Sequence, residues 1–166
     1  MKSELKISLW AILISISIAG CKKSNDQPFQ SYLRMAINGT AVACNANIKA
    51  TAPLLGSADG YITISGDWAT GSVKLEISEG GSQITPGDYL FEAGKFRQAT
   101  VRVSGQDYLA KSVISFPTVT GSGKIKILEI SNDYVKGSFE FITGIYPLGG
   151  ISQTVTNGEF HIKRSF

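Results

Sequence analysis

Residues 124–142 read KIKILEISNDYVKGSFEFI, and this stretch decides the fold class. In its second half, Phe139 and Phe141 alternate with Ser138 and Glu140. A period of two places apolar side chains on one face of a strand and polar side chains on the other. The asparagine–aspartate pair in the middle is typical of a turn. The stretch therefore predicts two consecutive strands that each bury one face.

The same period of two continues along most of the chain. Strands are predicted at 32–37, 40–44, 61–65, 72–78, 88–92, 100–104, 112–116, 124–131, 134–142, 152–156 and 159–165. The chain holds 18 glycines, only 17% of its residues are charged, and no helical spacing of apolar residues follows residue 20. Many short strands between turn residues are typical of antiparallel sandwiches and barrels. We therefore expect an all-β fold, a single antiparallel β-sandwich or barrel-like domain.

Two asparagine–glycine pairs and one break in the apolar–polar alternation predict local features of the strands. Asn38-Gly39 and Asn157-Gly158 each separate two extended runs. Because both central residues of a type I′ turn need positive φ, these pairs predict an opening and a closing hairpin. The neighbouring apolar residues Ile127 and Leu128 interrupt the alternation. This predicts a β-bulge or a strand buried on both faces.

The N-terminus carries an export signal. Lys2 and Lys6 precede an apolar run at 7–19, which is too short to cross a hydrocarbon core that needs about 20 residues. The run ends in Ile18-Ala19-Gly20-Cys21, a small-residue site followed at once by a cysteine. This segment resembles the lipobox of bacterial lipoproteins. The resemblance implies cleavage before Cys21 and attachment of acyl chains, palmitate among them, to that cysteine.

The lipobox resemblance divides the chain into three predicted segments. They are a lipoprotein signal peptide at 1–20, a lipidated cysteine with a short polar tether at 21–30, and an all-β domain at 31–166. Lipid anchoring takes more than one acyl chain, which the lipoprotein pattern supplies. We therefore expect an outer-membrane lipid anchor in the cell envelope, with the periplasmic and the surface face both open.

The chain also resembles an uncharacterised lipoprotein family of Bacteroidota-type bacteria. The similarity rests on the lipobox, an opening hairpin at Ile37-Asn38-Gly39, a Val-x-Gly-x-Phe-x-Phe strand at 135–141 and a closing Val-Thr-Asn-Gly-x-Phe hairpin at 155–160. These motifs consist of strand and turn residues. The resemblance therefore implies a fold and a location, and it implies no catalytic residue.

Side chains suited to catalysis or metal binding are few. With Cys21 assigned to lipid, Cys44 is the remaining cysteine, and its apolar surroundings predict a buried thiol. His161 is the only histidine, and we expect it at a solvated strand position. One histidine and one buried cysteine cannot fill a zinc site, so no metal or cofactor is predicted. Carboxylates could still converge in space, with Asp59, Asp67, Asp88 and Glu92 as the candidates.

Aromatic residues beside turns are the remaining candidates for binding. Tyr61, Trp68 and Tyr108 are the predicted ligand contacts, with Trp68 placed in a loop. The net charge of +3 and the lack of a basic block argue against nucleic acid as a partner. The leading hypothesis is a membrane-anchored, non-enzymatic module that binds a glycan or an envelope protein. The alternatives are a purely structural or assembly lipoprotein and, third, a hydrolase with loop carboxylates.

Overall fold

A computed structural model describes residues 29–53, 60–112, 119–144 and 151–165. The signal segment, Cys21, most of the tether, Asp59 and most of the strand predicted at 112–116 lie outside the described residues. Within the described ranges the chain is all-β, as predicted, and contains no helix. In that same part of the chain, no helix is long and apolar enough to span a membrane.

Twelve strands make up the described part of the chain. They are β1 (Tyr32–Ile37), β2 (Thr40–Ala43), β3 (Ala46–Thr51), β4 (Tyr61–Trp68), β5 (Gly71–Ser78), β6 (Gly87–Leu90), β7 (Phe96–Val103), β8 (Gln106–Ser112), β9 (Val119–Thr120), β10 (Ser122–Ile130), β11 (Tyr134–Ile142) and β12 (Thr154–Ser165). Their hydrogen-bonded order is β6-β10-β11-β12-β3-β4-β5-β7-β8-β9, with β1 paired to β12 and β2 paired to β1.

The long strand β12 joins two halves of this sheet. The first half-sheet comprises β6, β10, β11, β12, β1 and β2, and the second comprises β3, β4, β5, β7, β8 and β9. Near its end β12 pairs in parallel with β3, through Arg164 with Ala50 and Ser165 with Thr51, whereas the other pairings are antiparallel. The sheet curls into a half-barrel about this junction. Of the two predicted architectures, the barrel-like one describes this curled sheet.

Gly121 links the two half-sheets a second time. It lies between β9, which pairs with β8, and β10, which pairs with β6 and β11. Its φ is +78°, and a Cβ there would lie 2.2 Å from the carbonyl oxygen of Ile142, so glycine is required. The Gly144 N–H donates to the Leu109 carbonyl at 2.9 Å, which ties the end of the first half-sheet to β8.

Inward-facing residues of both half-sheets form one core. Its large, fully buried members are Phe141, Phe160, Leu33, Ile62, Ile64, Leu75, Ile77, Ile125, Ile127, Ile162, Val73 and Val101. They recur at alternate positions along their strands, as the period of two predicts. The charged and polar positions between them form the outer face of the sheet.

Glycine–phenylalanine pairs explain the motifs at the C-terminal end. Gly137 lies opposite Phe160, and Phe139 lies opposite Gly158, on the neighbouring strands β11 and β12. A Cβ on Gly137 would lie 2.4 Å from the Phe160 ring, and a Cβ on Gly158 would lie 2.6 Å from the Phe139 ring. Each ring therefore occupies the space left by the glycine across from it. The two motifs are a packing arrangement rather than a ligand signature.

The two asparagine–glycine pairs have different outcomes. Asn38 and Gly39 have φ of 50° and 82° and form the two-residue turn between β1 and β2, which confirms the opening hairpin. The predicted closing hairpin is wrong, because β12 runs unbroken through Asn157-Gly158. Asn157 has φ 52° and forms a bulge that shifts the register with β1. A residue with positive φ fits either a two-residue turn or a bulge. The bulge forms here because the partner strands β1 and β11 keep β12 extended.

Other irregularities also follow from local backbone preferences. The parity break at Ile127-Leu128 is a bulge, one of the two predicted outcomes, since the register with β11 shifts there. Ser104-Gly105 forms a two-residue turn between β7 and β8, with φ of 51° and 83°. The sequence analysis missed β8, because its QDYLAKS stretch does not alternate between apolar and polar residues.

Candidate functional site

The three predicted ligand-contact aromatics do not form one group. Tyr61 is the first residue of β4, faces outward and is 45% exposed. Trp68 is the last residue of the same strand, so about 23 Å of extended chain separates the two. Tyr108 on β8 is opposite the buried Val101 and packs against the core, as Trp68 does. Whether any of them contacts a ligand stays a prediction.

Trp68 is part of a hairpin rather than of an open loop. It is opposite Gly71 across the turn between β4 and β5, and its indole ring covers that glycine. The indole Nε1 donates to Thr70 Oγ1 at 3.2 Å. The ring and its polar atom thus both have partners within the hairpin. This placement leaves Trp68 less free to stack on a ligand than the sequence suggested.

An aromatic cluster that the sequence analysis did not identify lies on the outer face of the first half-sheet. It consists of Phe29, Tyr32, Tyr134 and His161, and we refer to these four residues as the aromatic cluster. The ring centroid of His161 lies 4.5 Å from that of Phe29, 4.9 Å from that of Tyr134 and 6.0 Å from that of Tyr32, each in edge geometry. Phe29 and Tyr134 stack at 5.8 Å. Edge and offset contacts at these distances are favourable.

His161 is the centre of this cluster, contrary to the predicted solvated position. Strand β12 places it between Tyr32 of β1 and Lys136 of β11. Its Nε2 is shielded from solvent and has no hydrogen-bond partner among the described residues. The surrounding rings, rather than water, therefore form most of its environment. Among the described residues, no carboxylate forms a hydrogen bond with Nε2 that would orient the ring as a catalytic base.

A hydrogen bond fixes the position of Tyr134. Its hydroxyl donates to Glu129 Oε1 on β10, and this bond raises the pKa of the Tyr134 phenol. The charged carboxylate favours the protonated hydroxyl, and the ring stays neutral over the physiological range. Phe29 and Tyr32 are 44% and 36% exposed, so this face presents apolar rings to its surroundings.

A groove of about 460 Å³ lies beside the aromatic cluster. It runs over β1 between β2 and β12, from Arg34 toward Asn157 and the Asn38-Gly39 turn. Its floor is formed by small apolar groups, and polar groups stand on the β12 side. The full lining is Arg34, Met35, Ala36, Ala41, Val42, Ala43, Asn157 and Glu159. Most of these lining residues are exposed, so the groove is shallow and open to solvent.

Arg34 and Glu159 form a fork at one end of this groove. Arg34 Nη2 and Nε lie 2.6 Å and 3.0 Å from Glu159 Oε2. The same guanidinium lies over the Tyr32 ring, 5.3 Å from its centroid. The hydrogen bond to Glu159 raises the pKa of Arg34, so the guanidinium stays charged. A planar cation and a carboxylate held side by side can together bind neighbouring hydroxyl groups.

Two buried arginines form hydrogen bonds that stabilise the fold. Arg97 is on the inner face of β7, pairs with Glu79 and donates to the carbonyl oxygens of Ser78 and Phe96 at 2.7 Å and 2.8 Å. Arg164 donates to backbone carbonyls that include Ala52 at 3.1 Å, and burial lowers its pKa. Both side chains satisfy carbonyl groups at strand ends. They therefore hold the half-barrel together at the end where β12 meets β3.

Cys44, Asp67 and Asp88 are candidates for catalysis whose contacts the structure describes. Cys44 is buried, as predicted, and burial followed by the nearby Asp67 raises the pKa of its thiol to about 12. A thiol with that pKa is not a nucleophile at neutral pH. Asp67 accepts a bond from Asn47 at 2.6 Å, while Asp88 lies 3.6 Å from Lys126 on the first half-sheet. Among the described residues, no group of three His, Cys, Asp or Glu side chains could hold a metal ion.

The aromatic cluster was missed because its members are far apart in sequence. Phe29 and Tyr32 precede or begin β1, Tyr134 begins β11, and His161 is near the end of β12. Only the strand order β1-β12-β11 brings them together. Tyr32 and His161 both fall at positions that the apolar–polar alternation assigns to the exposed face. The register between their two strands, which decides whether the two rings meet, cannot be obtained from that alternation alone.

The fold and this outer face define a class, an all-β domain with a surface groove and an exposed aromatic cluster. The chain belongs to the family described as Domain of unknown function (DUF6252), which it matches over residues 47–162. No curated protein and no solved structure matches the chain. The matched range contains Asn157, Glu159 and His161, and it begins after Arg34 and Tyr32.

Proposed function

We propose that this protein is a lipid-anchored, non-enzymatic binding module of the bacterial cell envelope, and that the groove over β1 binds a glycan. The observation that carries this proposal is the groove of about 460 Å³ with a small apolar floor and a fixed Arg34–Glu159 fork. Lipobox similarity at Cys21 supports the anchor.

The lining of the groove fits the two faces of a sugar ring. A carbohydrate presents hydroxyl groups at its edge and C–H groups on its faces. Arg34 supplies donors, Glu159 supplies acceptors, and the exposed Asn157 amide supplies both. The methyl groups of Ala41 and the other floor residues would contact the C–H face. A small number of fixed polar groups over an apolar floor is the usual composition of a small-ligand site.

Binding without catalysis is the better match to these side chains. Hydrolysis of a glycosidic bond uses two carboxyl groups that face each other across the bond. Glu159 is the one carboxylate that lines this groove, and it is paired with Arg34. A carboxylate oxygen that already accepts two hydrogen bonds from an arginine is poorly placed to act as a general acid.

A glycan array probed with the purified, lipidated chain in detergent tests the ligand. We expect binding to envelope polysaccharides, reduced about tenfold or more in Arg34→Ala because one charge-assisted hydrogen bond contributes roughly 1.5 kcal/mol or more. Arg102→Ala is the matched control. Arg102 forms an equally exposed fork with Asp107, the two pairs having side-chain exposures of 52%/51% and 62%/48%.

The outcomes separate the competing functions. Equal losses in Arg34→Ala and Arg102→Ala would contradict a site in the groove, and loss in Trp68→Ala alone would move it to the β4–β5 hairpin. A blank array, with the protein instead retaining an envelope protein on the same face, would favour the protein-binding or assembly alternative. Release of free sugar from a bound glycan would support the hydrolase alternative.

The anchor has its own test. In cells, Cys21→Ser should abolish acylation, detected as loss of the lipid mass on the N-terminal peptide. It should also lower the share of the protein that is recovered with the membranes. Retention of a lipid on Cys21→Ser, or an unmodified wild-type N-terminus, would show that the anchor assignment is wrong. Lys22→Ser serves as the control, since it leaves the cysteine in place.

A further inference from the structure

We propose that the aromatic cluster of Phe29, Tyr32, Tyr134 and His161 lies against the bilayer to which the chain is anchored. This inference rests on the lipid anchor of the proposed function. It adds a second contact with the membrane and an orientation for the domain. The ligand of the cluster is the interfacial region of a lipid bilayer.

The length of the tether limits how far the cluster can lie from the membrane. Phe29 follows Cys21 by eight residues. A fully extended chain spans at most about 3.6 Å per residue, so Phe29 lies within roughly 30 Å of the lipidated cysteine. Tyr32 begins β1 three residues later, and register places His161 directly opposite it. The anchor therefore holds the aromatic cluster within reach of the bilayer.

The chemistry of the cluster suits the headgroup region. Phe29 and Tyr32 expose 44% and 36% of their surface although both belong to a packed ring cluster. Aromatic rings with one polar end are enriched at membrane interfaces, where the ring is apolar and the hydroxyl stays hydrated. Tyr134 has this character, with its hydroxyl fixed to Glu129 on the side away from its contact with His161.

Lysines flank the rings on the same outer face. Lys136 is opposite His161, and Lys163 is opposite Tyr134, and both side chains are exposed. Near an anionic lipid surface each such lysine contributes about 1 kcal/mol of attraction. Lys22 and Lys23 of the tether would add to this. Of the acidic neighbours, Glu129 and Glu159 are engaged by Tyr134 and Arg34, while Asp133 beside Tyr134 is exposed and offsets part of this attraction.

In this orientation the proposed glycan groove borders the bilayer at its Arg34 end, because that guanidinium lies over the Tyr32 ring, 5.3 Å from its centroid. The groove begins at Arg34 and extends toward the Asn38-Gly39 turn, away from Phe29 along β1. Trp68 lies on the second half-sheet, separated from β12 by β3, and its ring packs on the core rather than on the outer face that carries the aromatic cluster.

Fluorescence quenching by brominated lipids tests the contact. Trp10 is removed with the signal segment, so Trp68 is the tryptophan of the mature chain. The lipidated protein is reconstituted into phosphatidylethanolamine–phosphatidylglycerol vesicles with brominated acyl chains. A variant carrying Phe29→Trp and Trp68→Phe should be quenched about twofold or more. The parent, which reports from Trp68 alone, should stay unquenched.

A lengthened tether separates adhesion from mere proximity. Insertion of about twelve glycine and serine residues after Ser24 raises the maximum extension of the tether about 2.5-fold. Quenching at position 29 should persist after this insertion, and should then be lost when Tyr32→Ser and Tyr134→Ser are added. Tyr61→Ser is the matched control, since Tyr61 is a similarly exposed tyrosine outside the cluster.

Each result supports or overturns the contact. Loss of quenching on lengthening the tether alone, or its survival without Tyr32 and Tyr134, would show that proximity explains the signal and would overturn the proposal. Lipidated protein without quenching overturns the membrane contact while the anchor stands. A mature chain without lipid on Cys21, read by mass spectrometry on the same sample, overturns both.

Discussion

Trp68 and Phe29 are aromatic residues that lie beside a turn or strand end, and their environments differ. Trp68 covers Gly71 within its own hairpin, binds Thr70 and packs on the core. Phe29 lies on an outer face, is 44% exposed and contacts rings from β11 and β12. The first ring supports the fold, and the second is available to a partner. A prominent residue in a sequence is therefore not by itself a sign of a binding surface.

The largest expected effect is on the Trp68 side, at Gly71. A Cβ there would lie 2.0 Å from the Arg102 carbonyl oxygen and 2.4 Å from the Trp68 ring. Gly71→Ala should lower the free energy of unfolding by about 3 kcal/mol, because backbone and ring must both move. Urea unfolding followed by circular dichroism measures this. Gly87→Ala, where a Cβ would meet nothing within 4 Å, should change little.

Truncation of Trp68 itself comes next. Trp68→Ala should destabilise the protein by about 2 kcal/mol, less than for a fully buried ring because Trp68 is half-buried. Its glycan binding and its vesicle contact should be unchanged under conditions where the domain is folded. If Trp68→Ala left stability unchanged but abolished glycan binding, the assignment of Trp68 to the fold would be wrong.

Cys44 gives a pH-dependent test of the same region. The pKa of its thiol is raised to about 12 in the fold, so the folded state keeps the proton that the unfolded chain loses near pH 8.5. Stability from this group is complete below that pH and declines as the pH rises toward the folded pKa. Between pH 7 and pH 9.5 the loss should be about 1 kcal/mol.

The control for Cys44 is a difference between two pH profiles. Urea midpoints at both pH values are compared for the parent and for Cys44→Ala, which removes the titrating thiol. A smaller alkaline loss in Cys44→Ala is expected. Identical profiles for the two proteins would show that the thiol does not titrate differently in the folded and unfolded states.

The smallest effect on stability is expected at Phe29. Phe29→Ala should cost about 0.5 kcal/mol, since it removes exposed edge and stacking contacts with His161 and Tyr134. Urea unfolding measures this against Trp68→Ala. Equal destabilisation by the two truncations would remove the distinction between a ring that supports the fold and a ring that faces a partner.

Local sequence was sufficient for much of the fold. Alternation predicted β5 and β11 nearly to the residue, with Phe139 and Phe141 on the buried face. The prediction of a turn at Asn157-Gly158 was wrong. Asn157 does have positive φ, but it lies in a bulge of β12. The pairing of β12 with both β1 and β11 decided that outcome. The pairing with β1 joins residues more than a hundred positions apart in the sequence.

The candidate site was less predictable than the fold. Sequence analysis selected Trp68 because it is a tryptophan near glycine and aspartate, and the structure places its ring over Gly71. It expected His161 to be solvated, because Lys163 and Glu159 are its neighbours at alternate positions. Those residues share its outer face, but rings from two other segments surround the imidazole.

The sequence by itself determined the all-β class, the inward and outward faces of most strands, the first hairpin and the burial of Cys44. These depend on residue periodicity and on backbone preferences that act over a few residues. Only the tertiary structure decided that β12 joins both half-sheets, that glycines accommodate rings across strands, and that Phe29, Tyr32, Tyr134 and His161 meet. Strand order and register arise from the packing of the whole core, so no local pattern specifies them.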